Sequence, residues 1–367
     1  MKKSTLALAV AAALATSAAV ADTTLYGSAR VSLDYVDIKD GTSNWDVWNN
    51  SSRLGVRGNE DLGGGLSAIY QYEFGVDLTE GGNFESNRPK WVGLKGDSWG
   101  SVTVGTQWSS YYNVAGVADI FNSSRSFTAA TGYLGGPGAG GPIGTPTIGF
   151  GQRIDNTIIY MSPNFSGFSA EATLVVNGSG GARVPDTSDG VDLWQIAGKY
   201  VNGPFYAGGA YMQLQNSGDV FFSDDDFRGW TLVGAYQPGP FSIGLLYEQG
   251  DLNPISLSTL NPGFVRLDTD TEDTWNVMLF GSYTFGNNII RAAYSYMEPD
   301  GNYFDEAQAR RKSFDAIQNF LLGYQYNLSK RTRVWAEYLG RWDDNNGVLR
   351  AIPNDQNVVS LGMRHDF

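Results

Sequence analysis

Groups able to do covalent chemistry are scarce in this chain, which has one histidine, His365, and no cysteine. Nucleophilic catalysis needs a base, a nucleophile and an orienting group brought together. His365 stands two residues before Phe367 on the apolar side of an alternating segment, which gives a Ser–His pair no support. The same scarcity leaves no ligand set for structural zinc or iron, and the acidic clusters lack the spacing of an EF-hand loop. No metal, cofactor or enzymatic activity is expected. What remains is fixed charge, among it Arg53 and Arg57 in "SRLGVRG", Arg88 in "NRPKWVGLK", Arg153 in "RIDN" and the carboxylates Glu73 and Asp119. Fixed charges around a narrow passage sort solutes by sign and size without binding them tightly.

The elements that must position these residues alternate with a period of two, which is the side-chain period of a β-strand. In "TLYGSARVSLDYV" one side collects Leu25, Gly27, Ala29, Val31, Leu33 and Tyr35, and the other Tyr26, Ser28, Arg30, Ser32 and Asp34. The split recurs in "SRLGVRG", in "RIDNTIIYM" (Ile154, Ile158 and Tyr160 against Arg153, Asp155 and Thr157) and in "FSAEATLVV". It continues in "FSIGLLYEQ", "FDAIQNFLLGYQY" and the closing "VVSLGMRHDF", where Val359, Leu361, Met363, His365 and Phe367 share a side. Alternation turns Arg53, Arg57 and Arg153 away from the apolar side. The period around Arg88 is too weak to place it, and "FYAGGAYMQL" shows no clear faces.

Composition narrows the class. Twenty tyrosines, 19 phenylalanines and 10 tryptophans in a chain that is 42% hydrophobic favour β-structure over helix. The opening residues 1–21 read as a secretory signal peptide: Lys2 and Lys3, an alanine-rich apolar stretch, then Ala19-Val20-Ala21 before Asp22. Residues 22–367 then form one domain. No apolar run there reaches the roughly 18 residues of a membrane-spanning helix. The formal charge is −13, and loss of Lys2 and Lys3 takes it to −15, which disfavours nucleic acid as a partner.

The connections fall into two alternating kinds. Seven are turn-like, at 61–65, 96–100, 162–167, 202–204, 238–240, 285–288 and 327–330. Eight are long, near 38–50, 77–86, 108–152, 178–190, 216–226, 251–271, 299–313 and 342–355. Together they join sixteen antiparallel strands. Each unpaired backbone group in hydrocarbon costs several kcal/mol, so a sheet crosses a bilayer only by closing on itself. An even strand count with short turns at one rim and long loops at the other is the pattern of an outer-membrane barrel. A soluble β-sandwich would also alternate, but would not expose so many aromatic residues.

At this level the chain resembles the trimeric general porins of Gram-negative bacteria, sixteen-stranded channels of the outer membrane. The resemblance runs from "TLYGSARVSLDY" through "SRLGVRGNEDLGGGLSAIYQYEFGVD", "NRPKWVGLKGDSWGSVTVGTQ" and "RIDNTIIYMSPNFSGF" to "GMRHDF". It implies a general diffusion channel for small hydrophilic solutes and ions, lying in outer-membrane lipid as a homotrimer. It also implies that Phe367 is read by the outer-membrane assembly machinery, and that the third long loop folds into the lumen. Arg53, Arg88 and Arg153 stand at the family's arginine positions on the wall opposite that loop, and Asp119 would present the negative side, supplemented by Glu73 and Asp155. Three arginines against few carboxylates imply a weak anion preference. The acidic stretches "SDDD" at 223–226, "DTDTED" at 268–273 and "WDDNN" at 342–346 would instead enrich cations at the mouth. Two other readings stay open: a substrate-specific porin with an aromatic track built from Trp108, Tyr111 and Tyr112, and a surface receptor or adhesin barrel.

Overall fold

The computed structural model describes residues 22–39, 41–81, 84–85, 88–125, 153–176, 190–215, 226–251, 274–298, 300, 302–305, 310–313, 315–343 and 355–367. The expected signal segment, the glycine-rich stretch at 132–151 and most of the acidic loop clusters lie outside them.

The strands are β1 (Asp22–Ile38), β2 (Asn44–Asn49), β3 (Arg53–Gly63), β4 (Leu66–Val76), β5 (Phe84–Glu85), β6 (Lys90–Gly96), β7 (Gly100–Trp108), β8 (Arg153–Met161), β9 (Phe168–Val175) and β10 (Leu193–Asn202). They continue as β11 (Phe205–Leu214), β12 (Phe227–Tyr236), β13 (Phe241–Gly250), β14 (Thr274–Phe285), β15 (Asn288–Glu298), β16 (Asn302–Asp305), β17 (Arg310–Ser313), β18 (Ile317–Asn327), β19 (Thr332–Asp343) and β20 (Gln356–Asp366). A short helix, α1 (Ser110–Ala115), follows β7 and runs into a 3-10 turn at Gly116–Ala118. Every strand pairs antiparallel with its neighbour, and β20 returns to pair with β1 from Ser28↔Asp366 to Ile38↔Gln356. That last ladder closes the sheet.

Sixteen strands make the wall. β2 extends the line of β3 along β1, and β5 adds one short rung to β4, so neither counts as a separate stave. β16 and β17 form a separate hairpin in the connection before β18. The seven short turns fall where alternation places them. The first long connection does not: 44–49 is paired strand, not loop, because Asn44–Asn49 completes the β1 ladder from Val31↔Asn49 to Val36↔Asn44. Likewise 299–313 contains the β16–β17 hairpin.

Alternation assigns the two faces. Leu25, Leu33, Leu174, Ile196, Leu232, Ile243, Leu245, Leu279, Phe320, Leu322, Leu361 and Met363 are all exposed on the outside. For an ordinary soluble domain so large an apolar surface would be untenable; against lipid it is required. His365 lies on this outer side, beside the Thr332 hydroxyl at 2.9 Å. In β11, which the sequence left unassigned, Phe205 faces outward while Ala210, Met212 and Leu214 are buried within.

One alternation fails. Ile158 and Tyr160 face outward as expected, but Ile154 is fully buried inside. The register between β7 and β8 shifts between Gly105 and Gln107, and Asn156 has φ +56°. An extra residue in a ladder inverts every side chain beyond it.

Candidate functional site

Chain entering the interior after Trp108 fills much of one side of the lumen. Ser109 caps α1 by accepting the Tyr112 amide at 3.0 Å. The helix packs against the inner faces of β9 to β12. Its anchor is Tyr111, fully buried, whose hydroxyl donates to Glu248 at 3.0 Å while its amide donates to Gln195 at 3.1 Å. Val114 lies so close to Gly208 that a Cβ there would stand 2.7 Å from its methyl carbon, which is why the wall tolerates no side chain at that point. Farther along, Asn122 and Ser123 donate their amides to the Glu337 carboxylate, each at 2.8 Å. The segment from 109 to 125 therefore runs inside the barrel from β9 to the β19–β1 side.

The residues singled out by the sequence divide into four groups. Arg53 and Arg88 flank Glu73, with guanidinium-to-carboxylate distances of 3.6 and 3.7 Å, and Tyr26 donates its hydroxyl to the same carboxylate at 2.9 Å. Glu73 is thus the counter-ion of the arginine wall rather than a supplement to Asp119, correcting that expectation. Arg57 does not join them; it is exposed nearer the short-turn rim, stacked on Tyr26 at 5.2 Å. Arg153 is also apart, lying over the Trp108 ring at 4.8 Å, with Trp108 in turn stacked on Tyr112 at 4.6 Å.

Asp119 follows the 3-10 turn and accepts the Tyr112 hydroxyl at 3.1 Å. Asp119 is exposed on the inward segment, and desolvation by the surrounding protein pushes its pKa up to about 6. The Tyr112 hydrogen bond and the charges of Arg30 and Arg53 act in the opposite direction, and Glu337 adds to the rise. Burial and the nearby Asp119 charge hold the Tyr112 phenol protonated.

Sequence reading placed Arg30 on the inner side but gave it no role. Arg30 stands directly across from Arg364, and Arg364 from Arg333, giving three adjacent strands an arginine at one level. Like charges in register repel; Asp366 offsets this by accepting from Arg364 at 2.7 Å and Arg333 at 3.0 Å. Their odd spacing from Phe367, three residues and one, carried the signal for Arg364 and Asp366. The aromatic trio forms no track: Tyr111 is buried, and Trp108 and Tyr112 are packed between Arg153 and Gly116.

A closed barrel with a lipid-type exterior, a charged interior and a loop folded inward invites comparison with channel proteins. Residues 6–347 match the family model described as Gram-negative porin. This chain belongs to the Gram-negative porin family. Among similar proteins, this porin is 28% identical to outer membrane porin protein 32 of Delftia acidovorans, and 28% identical to an outer membrane porin protein of Bordetella pertussis, each alignment covering 100% of both chains. Its fold superposes on the anion-selective porin from Comamonas acidovorans with a TM-score of 0.65 at 22% identity, over 95% of this chain and 100% of the other. Salmonella typhi OmpF gives 0.69 at 17% identity, over 94% and 97%. The porin accordingly resides in the outer membrane of a Gram-negative bacterium.

Proposed function

We propose that this porin is a passive, water-filled channel for small hydrophilic solutes and ions, narrowest between the inward segment 109–125 and the arginine wall, and weakly selective for anions. The observation that carries the reading is Asp119, held by Tyr112 on the inward segment and lying within the field of Arg30 and Arg53 on the wall. Arg53, Arg88 and the Arg30–Arg364–Arg333 row outnumber the carboxylates Glu73, Asp366 and Asp119 around them. Charges at the loop mouths count for less, because at about 0.15 M salt the Debye length is near 8 Å.

The same reading includes removal of residues 1–21, a single barrel domain over 22–367, assembly as a homotrimer in outer-membrane lipid, and recognition of Phe367 by the assembly machinery. Phe367 suits that role in position: its backbone pairs with Gly27 at 3.0 and 3.1 Å, and its ring is exposed on the outer face. The test is reversal potential in a KCl gradient across a planar bilayer, combined with liposome swelling in small sugars. Swelling and a modest anion preference are expected; a cation preference persisting at high salt overturns the selectivity, and absence of swelling overturns the channel.

A further inference from the structure

The wall is interrupted where β2 meets β3. At Asn50-Ser51-Ser52 the β1 ladder loses its regular rungs, and Ser51 takes φ +66°, a left-handed conformation that a non-glycine residue adopts at a cost. Ser52 patches the gap with its side chain: its hydroxyl accepts the Arg30 amide at 2.9 Å and donates to the Arg30 carbonyl at 3.0 Å. A run of asparagine and serine suits such a break because these side chains compete with the backbone for its hydrogen bonds.

Both sides of the lumen grip this interruption. From the arginine wall, Arg88 donates to the Ser51 carbonyl at 3.0 Å. From the inward segment, the Ser124 amide donates to Asn50 Oδ1 at 2.9 Å, and Asn50 Nδ2 in turn donates to Ser32 Oγ at 2.6 Å. Asn50 is 1% exposed and therefore does not line the passage itself. One residue farther, Arg125 is clamped: its guanidinium donates to Asp34 at 2.6 Å and Asp46 at 2.7 Å, and lies 3.9 Å over the Trp48 ring, whose indole N–H donates to Ser124 at 3.0 Å.

We propose that Asn50–Ser52 is a positioning joint that fixes Ser124 of the inward segment and Arg88 relative to each other, with Arg125 as its brace. It thereby sets the width and the field of the narrow section. This rests on the channel reading given under the proposed function, and supplies the residues that hold its geometry. Asn50 is uncharged, so its replacement alters no charge; a changed reversal potential would report altered positions.

The experiment reconstitutes the full-length wild type, Asn50→Ala, Arg125→Ala and Ser51→Gly in planar bilayers, with barrel closure checked by heat-modifiable gel migration. For Asn50→Ala, loss of the Ser124 hydrogen bonds to Oδ1, together with the Nδ2 bond to Ser32 that orients the amide, is expected to raise the released fraction of the segment at least roughly ten-fold. The readouts are greater open-channel noise, a larger solute size limit and a shifted reversal potential, with gel migration retained. Arg125→Ala should reproduce the noise and size limit. Ser51→Gly should conduct like the wild type, since Arg88 uses the backbone carbonyl and glycine adopts the positive φ freely. Wild-type noise, size limit and reversal potential in both alanine variants would overturn the joint. If Asn50→Ala gives no closed barrel, Arg125→Ala decides alone. A wild type that conducts nothing would instead defeat the channel reading itself.

Discussion

The two halves of the inner wall are unlike. From β19 through β20, β1 and β3 to β4 and Arg88, the inside carries Arg333, Arg364, Arg30, Arg53 and Glu73. From β9 to β14, buried Val175, Leu193, Met212, Leu214, Val233, Leu246 and Met278 occupy the same side of the sheet. Bare to water, that second half would waste its apolar surface. Its apolar residues are covered because Tyr111, Val114, Ala115 and Ala118 of the inward segment join them in one core, while Gln195 and Glu248 between them bind Tyr111. The first half anchors residues 122–125 through Glu337, Asn50 and Asp34 and supplies charge across the remaining space, while the second half seats α1 itself.

The largest expected way to break this division is Tyr111→Ala. It removes a fully buried ring and the hydroxyl that satisfies Glu248, at a cost of about 3–5 kcal/mol to the docking of the segment. The variant should form a closed barrel with enlarged conductance and size limit; Tyr111→Phe separates the two contributions by keeping the ring alone. Unaltered single-channel conductance in Tyr111→Ala would mean that the segment is held by the charged half instead.

Proton titration sharpens the comparison with a smaller effect. Asp119 is raised from its ordinary 3.8 to about 6, so its negative charge is present above that pH and lost below it. Anion preference should therefore increase as pH falls through about 6, within roughly one unit either side, and Asp119→Asn should show the acid-side preference throughout that window. The smallest expected effect is that of Arg57→Ala. This arginine is exposed near the rim and stacked on Tyr26, away from the Arg53–Glu73–Arg88 group. Its removal should leave the reversal potential nearly unchanged, and a shift as large as that from Arg53→Ala would place Arg57 in the narrow section after all.

The outer face was legible in the sequence because lipid imposes an apolar residue at every second position, as at Ile243 and Leu245 or Leu361 and Met363. The short turns were legible through their glycine, proline and asparagine. The inner face was harder, since water tolerates many side chains and the inward segment demands apolar ones only where it docks. Leu193, Met212 and Leu246 consequently weakened the alternation of their strands. Ile154 escaped because the displaced register at Gly105 and Asn156 has no hydrophobic signature. The same register shift removes the alternation argument for Arg153, whose seat over Trp108 depends on the loop base rather than on strand period. Glu337 was missed because its role comes from two amides more than 200 residues earlier in the chain.

Selectivity in this channel depends most on positive charge at the wall facing Asp119. The direct test replaces Arg30, Arg53 and Arg88 together by alanine and measures the reversal potential in a KCl gradient, with barrel closure verified by gel migration. A shift toward cations accompanied by larger conductance is the predicted result. Retention of the wild-type potential and conductance by the triple variant would contradict it.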